Sequence, residues 1–175
     1  MEELTRDDWI AMFRDTQDAA VHLELRDVYS VPEEEQQIIQ WRAGEYDPAS
    51  DERDREWWLD LMRETTSRGV RVRRARIVSE PVTEYIRYEY AGTPFNIRAG
   101  EEVRWLPRRQ ASRLTLPGND FWLFDKSMVV FNHFTGDGEW ASTETTRDSD
   151  AISLCLAAFE AVWAVGIPHG EYKPG

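Results

Sequence analysis

The chain has 175 residues, a formal charge of −12 and 41% hydrophobic side chains, which suits one globular domain that can bury its own core. A single cysteine excludes a disulfide framework or a multi-cysteine zinc site, and three histidines leave little material for a histidine-based metal centre. The negative charge argues against non-specific binding to nucleic acid or to an anionic membrane.

No targeting signal is predicted. The first residues, MEELTRDDWIAMF, are acidic and contain no apolar run typical of a signal peptide. No window approaches the roughly 18 apolar residues of a membrane span. We expect a cytoplasmic protein in which the lone Cys155 stays reduced.

The chain opens with a predicted helix and a predicted strand. Thr5 and Asp8 have the spacing of a capping box for a helix that continues to Arg14. Apolar residues then alternate with polar ones over residues 21–25. This alternation predicts a half-buried strand with His22 on the surface.

Two more helices and a strand are predicted next. Ser30 is a suitable cap for a helix that ends near Gly44, and another helix covers about residues 50–68. In the strand that follows, Arg74 and Arg76 share the parity of its valines. Either a bulge shifts the register, or the two arginines point toward the interior of a sheet.

The second half of the chain contains the shorter predicted elements. Residues 83–90 are predicted to form a short helix, and residues 92–100 a loop that leads into a strand at 103–106. Two apolar runs, at 121–124 and 128–131, indicate a hairpin.

A second turn and a final helix complete the prediction. Gly136 and Gly138 mark the turn, which leads into a polar strand. The last helix starts near Ser149, carries Cys155 on its apolar stripe and stops near Gly166.

The order of elements predicts one globular domain over residues 1–175, with a core at about 5–166 and a loose tail at 167–175. Helices and strands interleave along the chain. This favours an α/β fold, with α+β as the alternative, in which a mixed sheet carries helices on its faces.

Charge is distributed unevenly along the chain. Residues 1–60 hold 18 acidic and 6 basic side chains, residues 61–113 hold 6 and 12, and residues 114–175 hold 9 and 3. All the bases of the middle segment are arginines. They either pair with the acidic segments in the folded protein or form an anion-binding strip.

The common catalytic motifs are missing. There is no Gly-rich phosphate loop, dinucleotide fingerprint, nucleophile elbow or zinc-hydrolase motif. Asp120 and Asp125 flank an apolar strand, where capping a turn is a simpler role than acid–base work. We assign no catalytic residue, metal ligand or cofactor.

Two segments resemble phospholipase-D-like domains. The first is a helix that runs through SRGVRVR, residues 67–73, into a strand, and the second, residues 117–131, resembles the strand pair that carries the His-x-Lys-x4-Asp motif of that superfamily. Alignment on Asp125 puts Gly118 at the histidine and Asp120 at the lysine. The resemblance implies a phospholipase-D-like single domain without the nucleophile that phosphodiester cleavage needs.

The chain also resembles, over roughly residues 5–165, a family of actinobacterial proteins of unknown function. The segments that carry this resemblance are RDVYSVPEE, RGVRVRRARIVSEP, YIRYE, NIRAGE and DFWLFD. Members of that family are often encoded beside helix-turn-helix regulators. The resemblance implies a regulatory neighbourhood and names no reaction.

Three functions are weighed. We favour a non-catalytic binding or regulatory module that acts with a helix-turn-helix transcriptional regulator or senses a small anionic ligand. The alternative is an enzyme that acts on a phosphate or carboxylate substrate. Direct DNA binding is disfavoured, because no recognition-helix pattern is present and the acidic first segment would repel phosphate.

A ligand pocket is predicted near the carboxyl ends of the strands. In the enzyme, four arginines would line it and one of two aspartates would act as acid or base. These candidate ligand-binding residues are Arg74, Arg76, Arg87, Arg104, Asp120 and Asp125. The simpler interpretation of the arginines is ion pairing with nearby glutamates.

Overall fold

The computed structural model describes residues 4–175, and within this range six α-helices and seven strands follow one another. The helices are α1 (Arg6–Asp15), α2 (Glu35–Ala43), α3 (Pro48–Asp54), α4 (Glu56–Ser67), α5 (Glu84–Arg98) and α6 (Ser149–Val165). The strands are β1 (Ala19–Glu24), β2 (Arg71–Val78), β3 (Glu102–Pro107), β4 (Asp120–Phe124), β5 (Met128–Phe134), β6 (Trp140–Thr146) and β7 (Ile167–Pro168). Short 3₁₀ turns lie at Pro32–Glu34 and Arg108–Ala111.

All seven strands join one sheet in the order β6-β5-β4-β1-β2-β3-β7. β1, β2 and β3 are parallel neighbours, and helices connect them as parallel pairing requires. β4, β5 and β6 form an antiparallel meander beside β1, and β7 pairs antiparallel with β3. The mixed α/β single domain predicted from the sequence is confirmed.

One face of the sheet is covered by α6. The odd-numbered residues of the central strands, such as Leu23 and Ile77, pack there against Cys155 and Phe159 of the helix. The opposite face is covered too, so β1 is buried at all six positions rather than half-buried. A strand in the middle of a sheet that carries helices on both sides has no solvent face.

The opposite face is covered by α1, α4 and α5. Near the amino end of β2, Val72 packs with Phe13 of α1 and with Leu59 and Met62 of α4. Toward the carboxyl ends of β1 and β2 the same face becomes polar. No helix within residues 4–175 combines the length and the apolar character that crossing a bilayer requires.

The pairing of the arginine-rich strand β2 decides between the two alternatives of its sequence pattern, a bulge or inward-pointing arginines. It pairs with β1 and with β3 without a register shift, so no bulge is present. Arg74 and Arg76 therefore point to the interior, and their side chains are 11% and 8% exposed.

The helix predicted at residues 83–90 was too short, and the loop predicted at residues 92–100 was wrong. α5 runs from Glu84 to Arg98, through Pro94, where a loop was expected. A proline inside a helix costs about 3 kcal/mol. The helix continues because Phe95 and Asn96 extend its buried side past the proline.

A break at Arg55 divides the predicted helix over residues 50–68 into α3 and α4. α3 starts at Pro48, and the side chain of Asp47 caps it by accepting a hydrogen bond from the Ala49 amide at 3.0 Å. At the break, the Arg55 guanidinium turns inward to Asp51, with Nε 2.8 Å from Oδ1. The break in the helix therefore places the Arg55 side chain where it can pair with Asp51.

The C-terminal segment is packed, and the expectation of a loose tail was wrong. Ile167 and Pro168 form β7 on the edge of β3. Tyr172 is 3% exposed and stacks on Trp105, with ring centroids 5.5 Å apart. The Tyr90 hydroxyl donates a hydrogen bond to the Tyr172 carbonyl at 2.8 Å. A buried aromatic ring holds the segment in place.

Candidate functional site

A cavity of about 560 Å³ lies beneath α2–α5, on the polar part of the sheet. Its floor consists of side chains from β1, β2, β4 and β5. Its walls come from α3, α4 and α5 and from the 3₁₀ turn before α2, and α1 and the β5–β6 hairpin contribute to the rim. This is the carboxyl-terminal end of the parallel strands, where open α/β sheets bind ligands.

Strand register brings the floor side chains together. His22 stands between Arg74 on β2 and Trp122 on β4, because each is its Cα partner. On β4 and β5, Asp120 is opposite Asn132. Side chains of paired positions point to the same side of a sheet, so these residues share one surface.

Arg74 is held by two carboxylates. Its Nη1 lies 2.6 Å from Glu24 Oε1, and its Nε lies 3.0 Å from Glu101 Oε2. Glu101 also accepts hydrogen bonds from Trp58 Nε1 at 3.0 Å and from Asn96 Nδ2 at 3.1 Å. The guanidinium charge is thus compensated inside the protein.

Arg76 and Arg55 are compensated in the same way. Arg76 contacts Glu24 at 2.9 Å and Glu89 at 2.5 Å. Arg55 pairs with Asp51, described above, and lies 3.4 Å from Glu89. Burial opposes ionisation of Glu89, but Arg76 and Arg55 outweigh it and lower the pKa of this carboxyl to about 2.

Two other carboxyl groups of the cavity are bonded to tyrosines. Asp120 accepts hydrogen bonds from the Tyr29 hydroxyl and from the Leu25 amide, the latter at 2.9 Å. Burial raises the pKa of Asp120 to about 6, although both hydrogen bonds act in the opposite direction.

Glu34 accepts a hydrogen bond from the Tyr85 hydroxyl at 2.8 Å. Burial, followed by the negative charge of Glu89, raises the pKa of Glu34 to about 8. Among the described residues, neither Glu34 nor Asp120 has a basic side chain within the 4 Å of an ion pair.

Three neutral polar side chains line the cavity without complete hydrogen bonding. His22, Gln37 and Asn132 are 8%, 2% and 6% exposed. Within the described part of the chain, Gln37 Oε1, Asn132 Oδ1 and both His22 ring nitrogens have no hydrogen-bond partner. His22 Nδ1 lies 3.3 Å from a Glu24 carboxylate oxygen, but the contact lacks hydrogen-bond geometry.

His22 was expected on the surface, and that prediction was wrong. Its ring stacks on Trp122 with centroids 4.2 Å apart. Burial, followed by the charges of Arg74 and Arg76, lowers the pKa of His22 well below its ordinary value. The imidazole is therefore neutral at physiological pH.

Of the six predicted site residues, the structure brings Arg74, Arg76 and Asp120 together in the cavity. Arg87 instead donates a hydrogen bond to the Gly175 carbonyl at 3.2 Å. Arg104 donates to the Trp163 carbonyl at 2.7 Å, beside α6. Neither side chain lines the cavity.

Asp125 lies at the turn between β4 and β5, outside the cavity. Its carboxylate accepts hydrogen bonds from the backbone amides of Gln17, Asp18 and Ala19 at 2.8–2.9 Å. Burial acts against it, but these three amide hydrogen bonds keep the pKa of Asp125 below its usual value. This aspartate joins the hairpin to the start of β1.

Sequence reasoning missed the partners of the arginines, above all Glu24, Glu89 and Glu101, and the unpartnered amides. The sequence held no signal for Glu24, because the predicted strand was half-buried and its polar positions were expected to face solvent. For Glu89 and Glu101 no local signal exists, because α5 and the turn after it bring them to the arginines from a distant part of the chain.

The described residues contain no cluster of three or more His, Cys, Asp or Glu side chains arranged to hold a metal ion. The aromatic side chains instead give the cavity a large apolar wall. The rings that contribute to it are Trp9, Trp57, Trp58, Trp122, Trp140, Tyr29, Tyr85, Tyr88 and Phe134.

The seven-stranded mixed sheet with helices on both faces defines a domain of the phospholipase-D-like fold. The crystal structure of Nuc, a phospholipase D family member from Salmonella typhimurium, matches with a TM-score of 0.53 and 12% identity, covering 91% of this chain and 86% of that chain. Identity at this level establishes a shared fold alone.

The chain belongs to the DUF6879 family, described as a domain of unknown function, whose family model matches residues 7–174. TrmBL2, an archaeal chromatin protein with a novel mode of DNA binding, matches with a TM-score of 0.47 and 13% identity, covering 90% of this chain and 48% of that chain. A comparison with curated proteins gave no significant match.

Proposed function

We propose that this protein is a non-catalytic module that binds a small molecule in the cavity. One observation carries the proposal: His22, Gln37 and Asn132 are more than nine-tenths buried and present polar atoms without a protein partner to the same cavity. An unsatisfied buried polar group costs about 1–3 kcal/mol. A ligand that bonds to these atoms removes that cost.

The chemistry of the lining supports binding rather than catalysis. Among the described residues that line the cavity there is no serine, threonine, cysteine or lysine. Cys155 is buried on the inner side of α6, on the other face of the sheet. The resemblance noted in the sequence, which puts Gly118 and Asp120 at the histidine and lysine positions, agrees with a lost nucleophile.

A thermal-shift screen of a metabolite library, run on two matched variants, tests the proposal. Asn132→Leu removes an amide oxygen that has no partner, whereas Asn96→Leu removes the hydrogen bond to Glu101. We expect Asn132→Leu to keep or raise the melting temperature of the free protein and to abolish the shift produced by ligands. Asn96→Leu should lower the melting temperature.

Two results would contradict the proposal. The first is a wild-type protein whose melting temperature no library compound raises. The second is an Asn132→Leu variant that is destabilised as strongly as Asn96→Leu and still responds to the same compounds. The amide of Asn132 would then be a structural group rather than a ligand contact.

Asp120 supports a second candidate, an enzyme that uses one acid–base carboxyl. A buried carboxyl with a pKa of about 6 can donate or accept a proton near neutral pH. Mass spectrometry of each compound that binds, after incubation with the protein, tests this candidate. Conversion by the wild type that Asp120→Asn abolishes would favour the enzyme over the binding module.

The helix-turn-helix partner, the small anionic ligand and the cytoplasmic location stay predictions. They depend on the sequence resemblance and on composition. The charges in the cavity bear on one of these predictions, the small anionic ligand.

A further inference from the structure

Three of the four arginines that line the cavity are engaged by carboxylates, and the fourth, the exposed Arg6 at the rim, lies over the ring of Trp57. Three guanidinium groups, those of Arg55, Arg74 and Arg76, pair with four carboxylates, those of Glu24, Asp51, Glu89 and Glu101. An anionic ligand on the floor of the cavity would have to displace carboxylates from buried ion pairs. Breaking such a pair leaves an uncompensated buried charge, which is strongly unfavourable.

The carboxyl groups that remain have no cation. Asp120 and Glu34 receive hydrogen bonds from tyrosine hydroxyls, which carry no charge. At the rim, Asp54 accepts a hydrogen bond from Gln37 Nε2 at 2.5 Å. None of the three forms an ion pair with any residue in the range 4–175. The lining therefore contains six carboxyl groups and four arginines, an excess of two negative charges when Glu34 is ionised and of one when it is protonated.

The unpartnered amides add hydrogen-bond acceptors to this charge. Gln37 Nε2 donates to Asp54 and lies 3.3 Å from Ser50 Oγ, so the carbonyl end of the side chain, Oε1, is the end left free. On the floor, Asn132 Oδ1 is likewise free and stands opposite Asp120 across the strands. Both atoms accept and neither donates.

We propose that the ligand of this cavity is an organic cation, an amine or amidine, whose N–H groups bond to Asp120, Asn132 and Gln37 and whose carbon frame packs on the tryptophan and tyrosine rings. This inference rests on the proposed function and deepens it. A metal ion fits less well, because no group of three ligating side chains is present among the described residues.

Matched probe molecules test the sign of the ligand charge. Each set keeps one carbon frame and changes one group: tryptamine, tryptophol and indole-3-acetate; phenethylamine, phenethyl alcohol and phenylacetate; hexylamine, hexanol and hexanoate. Titration of the full chain with each probe, followed by NMR of the ligand, gives the affinities. We expect the amine of each set to bind about tenfold tighter than its alcohol, and the acid not to bind.

Isosteric variants tie that preference to named carboxyl groups. Asp120→Asn and Glu34→Gln keep the shape of each side chain and remove its charge at pH 9, where the titrations are run because this pH lies above the pKa of both carboxyl groups. Each should reduce amine affinity several-fold while changing alcohol affinity little. Glu102→Gln is the matched control, because Glu102 is exposed on β3 and outside the cavity, and it should leave all affinities unchanged. If Asp120→Asn does not fold, Glu34→Gln alone gives the comparison.

The outcomes separate this inference from the proposed function. Acids that bind as tightly as amines, or amines that bind the charge-removing variants as tightly as the wild type, overturn the cation and leave a binding module. Amines that bind no more tightly than their matched alcohols overturn it as well. A library screen that yields ligands, none of them cationic, does the same, whereas a screen that yields none removes both proposals.

Discussion

The two faces of the sheet have opposite characters, although the same strands build both. Leu23 lies in the apolar layer under α6, and His22, one residue earlier, lies in the charged cavity. The layer under α6 is stabilised by removing apolar surface from water. The cavity face buries charges whose desolvation is offset only by their pairing. The first face stabilises the fold by apolar burial, and under the proposed function the second supplies groups for binding.

The largest expected effect is a loss of stability when one carboxylate is removed from the buried ion pairs of the cavity. Glu89→Gln leaves Arg76 and Arg55 with one carboxylate fewer in a buried site, so the free energy of unfolding should fall by about 3–5 kcal/mol. Urea denaturation measures it. Glu64→Gln is the control, because its pair with Arg14 is exposed and is expected to contribute less than about 1 kcal/mol. Equal losses would mean that the buried network is not stabilising.

The second prediction concerns the apolar face. Leu23→Ala creates a cavity under α6 and should lower the free energy of unfolding by about 2–5 kcal/mol. Because Leu23 points away from the ligand cavity, the affinity for any ligand found there should not change. A loss of affinity greater than about threefold would show that the two faces are not independent.

The third prediction is a pH dependence set by Glu34. This carboxyl is already ionised at pH 7 in the unfolded chain, while its pKa in the folded protein is about 8. The folded state therefore binds more protons between pH 7 and 9, and the free energy of unfolding should fall by about 1 kcal/mol as pH rises through that interval.

Urea denaturation at pH 7 and at pH 9 measures this slope. Burial raises the pKa of Cys155 to about 11, which adds a fall of the same sign toward the upper end of the interval. Glu34→Gln should remove the part of the slope that belongs to Glu34. Glu35→Gln, at an exposed neighbouring position, should leave the whole slope in place. A slope unaffected by Glu34→Gln would contradict the assignment.

The smallest expected effect is at His22. Its ring is neutral, stacked on Trp122 and without a hydrogen-bond partner, so His22→Phe should change the free energy of unfolding by less than about 1 kcal/mol. Thermal denaturation at pH 7 measures the change. A loss of more than about 2 kcal/mol would show that the contact with Glu24 is a true hydrogen bond.

Local chemistry made much of the fold predictable. The capping box of Thr5 and Asp8 at the start of α1 is confirmed, with the Asp8 amide 3.2 Å from Thr5 Oγ1. The β4–β5 hairpin is confirmed, with Asp125 and Lys126 at positive φ in its turn. The apolar stripe of α6, with Cys155 buried, is confirmed as well. Each feature is decided by residues a few positions apart.

The parts that could not be predicted depend on distant segments. α5 continues past Pro94 because Phe95 finds a buried place against the sheet, which no local pattern reveals. The parity of Arg74 and Arg76 left two alternatives, a bulge in the strand or an interior position for both. Nothing local shows that Glu89 and Glu101 meet them there, and Arg87 and Arg104 resemble them in sequence while lying elsewhere.

The placement of the tryptophans has a spectroscopic consequence. Five of the eight line the cavity, and the indole of Trp122 lies against His22 while that of Trp58 donates a hydrogen bond to Glu101. Most of the indole chromophores of the chain therefore lie beside the same 560 Å³ volume. An occupant of that volume replaces water around these indoles, so the intrinsic fluorescence of the unlabelled protein reports occupancy directly.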